Sequence, residues 1–531
     1  MALYLGLDSS TQSLSAIALL VDRGQRSVVW QHSLNFDAAL PAYGTRHGVL
    51  PNDDARVAVS SPRMWAEALD QMFEAFSRSG LPLSELAAVA GDAQQHGSVY
   101  LNGEAAPRVS ALDPARPLVD QLDGIFARDV APIWMDSSTS EECGEIALAM
   151  GGGQRLARLT GSRAFERFTA AQIRRCFTHE PRAYQATARV HLVSSFLASL
   201  LSGSDAPVDP GDASGMNLMD LANRDWLPDA LEATAPALRR RLPSIVASHT
   251  VVGALAPFWR ERYRLPAARI VAWTGDNPSS LVGTGLVTED RLAVSLGTSD
   301  TVFGLMGQPR VDESGTGHVF ASPTGDYMGL TCFKNGSLAR ERIRDDYGLD
   351  WDGFSAALGA TPPGNRGAMM LPWFEPEITP DVPNPGVHRI GLDRADAAAN
   401  VRAVVEAQMM SMANHSAWMT RGAPVKVRAI HATGGGAANR DLLRVMADVF
   451  DADVYQFDAG NSACLGAALR AWHADALASG QEVPWTEIVR GLAEPVAASR
   501  IAPEPANVRV YVELREKYAD CERRRLSADA Q

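Results

Sequence analysis

A short hairpin pattern occurs twice in the chain, and it constrains the fold more than any other sequence feature. Residues 5–20 form an apolar strand, a turn rich in Asp, Ser and Thr, and a second apolar strand. Residues 295–306 repeat this order around the turn Gly297-Thr298-Ser299. Small turn residues let backbone N–H groups approach an anion, and hydroxyl groups add further donors. The repeat therefore predicts a duplicated fold that holds a phosphate group between its halves, and it points to ATP chemistry.

The length of 531 residues exceeds that of a single hydrophobic core, so two or more domains are expected. Residues 242–257 have the character of a connection, and a new series of strands begins at Ala268. We therefore expect a boundary near residue 260, which gives an N-terminal domain over 1–260 and a C-terminal domain over 261–531.

Composition and charge exclude several classes of protein. The formal net charge of −13 argues against a nucleic-acid partner, which would favour a basic face. No apolar run reaches the roughly 20 residues that span a bilayer, and the N-terminus lacks the features of a signal peptide. Five scattered cysteines form no CxxC pair, which indicates neither a disulfide framework nor a zinc site. The expectation is a reduced, cytoplasmic enzyme.

The hydrophobic pattern predicts alternating strands and helices. Ser61-Pro62 begins a helix whose apolar residues recur at helical spacing through Phe76. An apolar helix is predicted over 190–201, and a strand, a Gly-rich turn, a helix and a second strand follow one another over 425–457. This last order is typical of a βαβ unit, so the fold class is α/β.

The turn Thr433-Gly434-Gly435-Gly436 is the best candidate for a nucleotide contact. Glycines leave the backbone open to a ligand, and the following helix N-terminus favours an anion. A tight turn without any ligand explains the same residues, because neither a P-loop nor a GxGxxG pattern is present.

Two aspartates follow apolar strands, and each has a functional and a structural interpretation. Asp276 is a candidate general base for phosphoryl transfer to a hydroxyl. Its alternative role is to cap the next helix. Asp8 is placed as a ligand of Mg²⁺, directly or through water, or as the side chain of an Asx turn. His96 is a candidate to bind a polyol hydroxyl, although a lone histidine is more often structural.

Taken together, these segments resemble the FGGY family of carbohydrate kinases, and within it the animal-type branch of ketose kinases. The resemblance extends over nearly the whole chain. It is carried by ten stretches, 5–12, 94–98, 134–139, 160–169, 192–196, 214–218, 274–278, 295–301, 332–337 and 461–464. Gln95 and the Trp134-Met135-Asp136-Ser137 stretch depart from many bacterial members and match the animal-type branch.

The resemblance implies two ribonuclease-H-like domains of the actin and sugar-kinase type, which close over an active-site cleft. The first domain would bind mainly the sugar and the second mainly ATP. By position, Asp276 is the implied catalytic base, and His96, Arg167, Asp276 and Asn277 are the implied ketose contacts. Asp8 is the implied Mg²⁺ ligand. The implied ATP-binding residues are Thr11, Gln12, Gly297, Thr298, Ser299, Trp351, Gly435, Gly436 and Asn439.

The reaction implied by the resemblance is ATP-dependent phosphorylation of a ketose at its terminal hydroxyl, with D-xylulose as the expected sugar and Mg²⁺ as cofactor. One alternative is a kinase for another polyol or sugar, such as ribulose, glycerol or gluconate. The other is a non-catalytic ATP-driven switch like the actin and chaperone relatives of the fold. The expected partners are a small-molecule ketose and ATP, without nucleic acid or membrane, and a homodimer is left open.

Overall fold

The computed structural model of the chain describes residues 1–312 and 314–529. They form two compact units, each with its own sheet and core. The first unit comprises residues 1–287, 319–327 and 461–493, and the second comprises the rest of the described chain. The expected division at residue 260 into a sugar-binding and an ATP-binding domain remains a prediction.

The strands and helices of the chain before residue 288 are numbered in order. The strands are β1 Ala2–Ser9, β2 Ser13–Asp22, β3 Gln25–Asn35, β4 Val59–Ser60, β5 Leu86–Ala93, β6 Ser98–Leu101, β7 Ala131–Pro132, β8 Arg189–Leu192, β9 Met219–Asp220, β10 Asp225–Trp226, β11 Val251–Ala254, β12 Arg269–Val271 and β13 Thr274–Gly275. The helices are α1 Phe36–Ala39, α2 Pro62–Ser77, α3 Ala105–Ser110, α4 Ser140–Ala149, α5 Gly153–Thr160, α6 Thr169–His179, α7 Pro181–Ala186, α8 Val193–Ser202, α9 Pro210–Ser214, α10 Pro228–Thr234, α11 Pro257–Tyr263 and α12 Asp276–Gly283.

The numbering continues after residue 288. The strands are β14 Arg291–Leu296, β15 Asp300–Met306, β16 His318–Ala321, β17 Tyr327–Phe333, β18 Met369–Trp373, β19 Gly386–Ile390, β20 Ala429–Thr433 and β21 Asp453–Gln456. The helices are α13 Ser337–Asp346, α14 Trp351–Ala360, α15 Ala397–His415, α16 Arg440–Phe450, α17 Ser462–Ala478, α18 Trp485–Ile488 and α19 Pro505–Asp529.

The two sheets repeat one topology, as the duplicated hairpin predicts. In the first unit the order is β3-β2-β1-β5-β12-β11, where β1 is antiparallel to β2 and parallel to β5. In the second unit the strands β17, β15, β14, β20 and β21 are neighbours in that order. There β14 is antiparallel to β15 and parallel to β20. In each sheet the first strand of the hairpin therefore has the second hairpin strand on one side and a parallel strand on the other.

Helix α2 shows how the apolar pattern builds the first core. Its residues Trp65, Leu69, Met72, Phe73 and Phe76 are all fully buried, as their spacing predicts. They lie in a cluster that also contains the buried side chains of β1 and β5. Burial of a large apolar side chain contributes about 1.5–3 kcal/mol, so this one helix contributes substantially to the free energy of folding of the first unit.

The prediction of a single helix over 190–201 is wrong at its N-terminal end. Residues Arg189–Leu192 form β8, which pairs antiparallel with β6, and the helix begins at Val193. The Ser195 hydroxyl accepts a hydrogen bond from the Leu192 backbone N–H at 3.1 Å, which caps the helix at this point. Pairing with a distant strand outweighed the local helical pattern.

Helix α17 comes late in the chain and packs against the first sheet. A Cβ on Gly6 of β1 would lie 2.4 Å from the backbone N of Ala468 and from the carbonyl O of Cys464. Only glycine permits this close approach of helix to strand. No helix in the described chain is long and apolar enough to cross a membrane.

Candidate active site

Three aspartates lie at the carboxyl ends of neighbouring parallel strands in the first unit. Asp8 on β1 is in register with Asp92 on β5, and Thr274 of β13 is in register with the same Asp92. Asp276 follows β13 directly and is the first residue of α12. Open α/β sheets bind their ligands at this edge. The strand order thus brings Asp8 and Asp276, which are 268 positions apart in sequence, to one edge of the sheet.

Asp276 has the electrostatic setting of a general base. Its Oδ1 accepts hydrogen bonds from the Asn277 backbone N–H at 2.8 Å and from the Gln95 backbone N–H at 3.3 Å. Burial, with a contribution from the negative charge of Asp8, raises the pKa of Asp276 to about 7. A carboxyl group with this pKa can take up and release a proton near neutral pH, which a general base requires.

Asp8 and Asp92 form a pair of buried carboxyl groups beside this base. Asp8 is 8% exposed and both of its oxygens accept from the Ser10 hydroxyl, whereas Asp92 is fully buried. Burial raises the pKa of both groups, and the charge of Asp8 raises that of Asp92 further.

The donor set fits Mg²⁺, which prefers oxygen ligands and keeps several waters. Asp92 itself lies within side-chain hydrogen-bonding reach of Asp8 and Ser279. Within residues 1–312 and 314–529, no three His, Cys, Asp or Glu side chains are grouped so as to hold a metal. A magnesium ion at Asp8 would therefore need water and phosphate oxygens to complete its coordination.

Thr11 and Gln12 lie in the turn between β1 and β2. The Thr11 hydroxyl accepts a hydrogen bond from the indole N–H of Trp134 at 2.7 Å, and Gln12 is exposed. Trp134, itself 45% exposed, therefore ties the segment 134–139 to the turn beside Asp8.

His96 lies in an aromatic pocket after β5. Its Nδ1 is 2.7 Å from the carbonyl O of Gly215, and its ring is 4.4 Å from that of Phe168. Burial and the charge of Arg167 lower the pKa of His96 to about 3, so the ring is neutral at physiological pH. With Nδ1–H donating to the carbonyl, Nε2 is left as an acceptor, which suits a hydroxyl group.

Arg167 and Asn277 lie near the same group of residues. The guanidinium carbon of Arg167 is 5.1 Å from the Phe165 ring centroid and 5.5 Å from that of Phe168. The Asn277 side chain donates to Asp276 at 3.1 Å and to the Gln95 side-chain oxygen at 3.0 Å. The first unit therefore places His96 and Arg167 around Phe168, and Asn277 against Asp276.

A cavity of about 820 Å³ lies in the second unit, and most of the predicted ATP-binding residues there line it. Gly297, Thr298, Trp351, Gly435, Gly436 and Asn439 are in its lining, and Ser299 is not. Its volume is in the range of pockets for drug-sized ligands. The second hairpin turn and the glycine turn thus contribute to one cavity.

The glycine turn has a conformation that only glycine adopts readily. Gly434 has φ +79°, and a Cβ there would lie 2.6 Å from the carbonyl O of Leu296. Asn439 follows as the N-cap of α16, and its Oδ1 accepts from the Asp441 and Leu442 backbone N–H groups. The Asn439 amide donates to the Ser355 hydroxyl at 2.7 Å, which ties the turn to α14.

Several lining residues of this cavity were not predicted from the sequence, namely Ser337, Glu341, Asp352, Ser355 and Arg440. Ser337 is the last residue of the 332–337 stretch and the first residue of α13, and this position was a usable signal. The other four lie on helices, Asp352 and Arg440 exposed and Glu341 and Ser355 half-buried, where the sequence pattern is that of an ordinary polar surface.

The sequence pattern also predicted no role for Arg470, a buried arginine whose charge interacts with that of Asp92. Arg470 on α17 is 2% exposed and donates to the carbonyl oxygens of Gly91, Ser248 and Ala272. Burial lowers its pKa, and the negative charges of nearby aspartates act in the opposite direction. Arg470 therefore links strand β5 to the chain just before β13 through hydrogen bonds.

Comparison with known proteins identifies the family. Residues 128–283 match the N-terminal domain, and residues 292–474 the C-terminal domain, of the FGGY family of carbohydrate kinases. The chain is 43% identical to rat xylulose kinase over 98% of this chain and 97% of that protein.

Two solved structures from Lactobacillus acidophilus share the fold. A ligand-bound xylulose kinase superposes with a TM-score of 0.80 at 18% identity, covering 99% of each chain. A gluconate kinase superposes with the same TM-score and identity, covering 98% of each chain. The two names differ in their sugar, so the fold alone does not select the substrate.

The duplicated sheet topology, the aspartates at one strand edge and the glycine-lined cavity define a sugar kinase of the actin-like fold. The chain belongs to the FGGY family of carbohydrate kinases.

Proposed function

We propose that this kinase transfers the γ-phosphoryl group of ATP to the terminal hydroxyl of D-xylulose, giving D-xylulose 5-phosphate and ADP. The observation that carries this proposal is the full-length similarity to the rat protein, which is named xylulose kinase. The similarity covers 98% of this chain, so it is not confined to one of the two units.

Asp276 acts as the base in this proposal. Its carboxylate accepts the proton of the sugar hydroxyl as the oxygen attacks the γ-phosphorus. The new O–P bond forms while the bond to the β,γ-bridging oxygen breaks, and ADP leaves with that oxygen. Hydrogen bonds from the Asn277 and Gln95 backbone N–H groups hold the carboxylate in one orientation.

His96, Arg167 and Asn277 orient the ketose. The neutral His96 ring offers Nε2 to a sugar hydroxyl, because Nδ1 is engaged by Gly215. The amides and guanidinium of the other two residues are donors for hydroxyl and carbonyl oxygens. Phe168 beside them gives an apolar surface that excludes water from the reacting oxygen.

ATP is bound in the cavity of the second unit. Gly435, Gly436, Asn439 and Trp351 contact the adenosine moiety, while Gly297, Thr298 and Ser299 donate to the phosphates. When bound, Mg²⁺ neutralises charge on the phosphates, and Asp8 is the residue that holds it.

The direct test is sugar-dependent ADP release, measured in a coupled assay with purified protein, ATP and Mg²⁺. We expect kcat/KM for D-xylulose to exceed that for D-ribulose, glycerol and gluconate by at least about tenfold, the equivalent of one well-placed hydrogen bond. A preference for another of these compounds would identify a different sugar kinase. ATP binding without sugar-stimulated ADP release would instead support the ATP-driven switch.

We also propose a cytoplasmic location, supported by the five cysteines, all of which are thiols and two of which, Cys176 and Cys464, are buried. A homodimer is the assembly to test, by light scattering of the purified protein.

A further inference from the structure

A buried ion pair lies directly beside the second hairpin turn, Gly297-Thr298-Ser299. Asp300 and Arg340 are each 1% exposed, and the Arg340 guanidinium donates to both carboxylate oxygens, at 2.8 and 3.1 Å. Burial raises the pKa of Asp300 although the charge of Arg340 lowers it, so desolvation outweighs the pairing. A buried pair of this kind is weak evidence for stability, and in some proteins it fixes one conformation of its surroundings.

The pair contacts one end of the turn, and the same helix contacts the other end. Asp300 follows Ser299 directly and is the first residue of β15. At the other end, the Ser337 backbone N–H donates to the carbonyl O of Gly297 at 2.8 Å. Ser337 and Arg340 are three positions apart on α13, so they lie on one face of that helix. Helix α13 therefore holds the turn at both ends.

A second buried side chain closes this arrangement into a ring of hydrogen bonds. Gln408 of α15 is 6% exposed, and its side-chain oxygen accepts from Arg340 at 2.9 Å. Its Nε2 donates to the carbonyl oxygens of Asn335 and Gly336, at 2.6 and 2.7 Å. The ring thus passes from the turn through the start of α13 to α15, and it returns to the turn through the ion pair.

The chain before α13 also packs tightly against the turn. A Cβ on Gly336 would lie 2.8 Å from the carbonyl O of Thr298 and 2.7 Å from Oδ1 of Asp300, so the two segments are in direct contact. Thr298 and Arg340 both line the cavity of about 820 Å³. Because the Arg340 guanidinium donates to Asp300 and Gln408, its effect on a ligand in this cavity would pass through the turn.

We propose that Arg340 and Asp300 are positioning residues for phosphate binding, which together hold the turn in the conformation that presents its donors to the phosphates of ATP. A turn that is ordered before the nucleotide binds loses less conformational entropy on binding. This inference rests on the proposed function, in which this turn binds the phosphates. The expected consequence of breaking the pair is a defect confined to ligands that carry phosphate.

Binding of ADP compared with binding of adenosine tests the proposal, because only ADP carries phosphates. Each would be titrated into the full chain in buffer with Mg²⁺ and without sugar, and followed by isothermal titration calorimetry. Arg340→Lys keeps the positive charge but loses the bidentate contact with Asp300. We expect this variant to bind ADP about tenfold more weakly than the wild type, with unchanged affinity for adenosine.

Arg402→Lys is the matched control. Arg402 is also a buried arginine of the second unit, its guanidinium is paired with Glu406 at 2.9 Å, and it lies outside the lining of this cavity. It should bind ADP and adenosine as the wild type does. An equal loss of affinity for both ligands in Arg340→Lys, or no loss for ADP, would overturn the proposal.

Asp300→Asn distinguishes positioning of the turn from direct contact between Arg340 and phosphate. If the pair positions the turn, this variant also binds ADP more weakly, with unchanged affinity for adenosine. Wild-type or tighter ADP binding would mean that the released Arg340 contacts phosphate itself, which would overturn the proposal.

Thermal unfolding would show whether the two charge variants are folded. If either is not, Gln408→Met replaces it, because this substitution opens the ring of hydrogen bonds without removing a charge. We expect about threefold weaker ADP binding and unchanged adenosine binding in Gln408→Met. Wild-type affinity for ADP in this variant would count against the proposal.

The outcomes separate this inference from the proposed function. Sugar-dependent ADP release by the wild type together with unchanged ADP affinity in Arg340→Lys would reject only the positioning role. A selective loss of ADP affinity in a protein that phosphorylates no sugar would reject only the kinase reaction.

Discussion

At the scale of single residues, the chemistry depends on carboxyl groups whose surroundings differ. Asp276 has backbone donors and a pKa of about 7, whereas burial and the negative charge of Asp8 raise the pKa of Asp92 well above its usual value. The two carboxyl groups therefore differ in how readily they release a proton, because their environments differ although their side chains are identical.

Replacement of Asp276 by Asn should lower kcat for the sugar-dependent reaction by about 10²- to 10⁴-fold, because the variant cannot accept the hydroxyl proton. The KM for ATP should change little. Steady-state kinetics measures both values, with Asp54→Asn as a control at a partly exposed aspartate that is paired with Arg56. Wild-type turnover in Asp276→Asn would remove this residue from the mechanism.

The pH profile of kcat/KM should reflect the same carboxyl group. The pKa of Asp276 is raised, so the group is protonated and inactive as a base below about pH 7. We expect kcat/KM to rise about tenfold per pH unit on the acid side and to level off at or somewhat below pH 7, because bound Mg²⁺ favours the charged form. His96, whose pKa is lowered to about 3, should not add a titration in this range. A flat profile from pH 5 to pH 8 would contradict the assignment.

At the scale of secondary-structure elements, the fold depends on close contacts between helices and strands at glycines. Gly6 permits α17 to lie directly on β1, and Gly434 permits the glycine turn to pass over Leu296. The apolar pattern predicted α2, the hairpins and the βαβ unit, because these elements follow from local spacing. It did not predict that residues 189–192 form a strand, since that strand exists only through its pairing with β6.

The Gly6→Ala substitution should destabilise the first unit by about 1–3 kcal/mol, because the new methyl group would meet the backbone of α17 at 2.4 Å. Urea unfolding followed by circular dichroism would measure the loss. Gly103→Ala is the matched control, since nothing lies within 4 Å of its Cβ position and its φ is not positive. Equal midpoints for the two variants would mean that α17 moves away at little cost.

At the scale of the whole molecule, the first unit is completed by chain from near the C-terminus. Arg470 bonds the carbonyl O of Gly91, a residue 379 positions earlier in the sequence. Bringing such distant segments together has a loop-closure cost that grows only slowly with their separation, and the packing of α17 must offset it.

Replacement of Arg470 by Met should therefore destabilise the first unit by about 3–5 kcal/mol, because three carbonyl groups lose a donor and the buried aspartates lose a nearby cation. Differential scanning calorimetry would detect the shift, with Arg523→Met, at an exposed arginine of α19, as control. A loss no larger than that of the control would show that water replaces the guanidinium.

The sequence by itself determined the family, the duplicated hairpin and helices such as α2 and α16, because these are encoded in local spacing and in motifs that keep their order along the chain. It also singled out Asp8, Asp276 and the glycine turn, whose assigned roles remain predictions. Only the tertiary structure placed Asp92 in register with Asp8, Arg470 beneath the strand ends, and Ser355 and Glu341 in the cavity of the second unit. Those relations join residues far apart in sequence. They arise from strand order and helix packing, which no local pattern encodes.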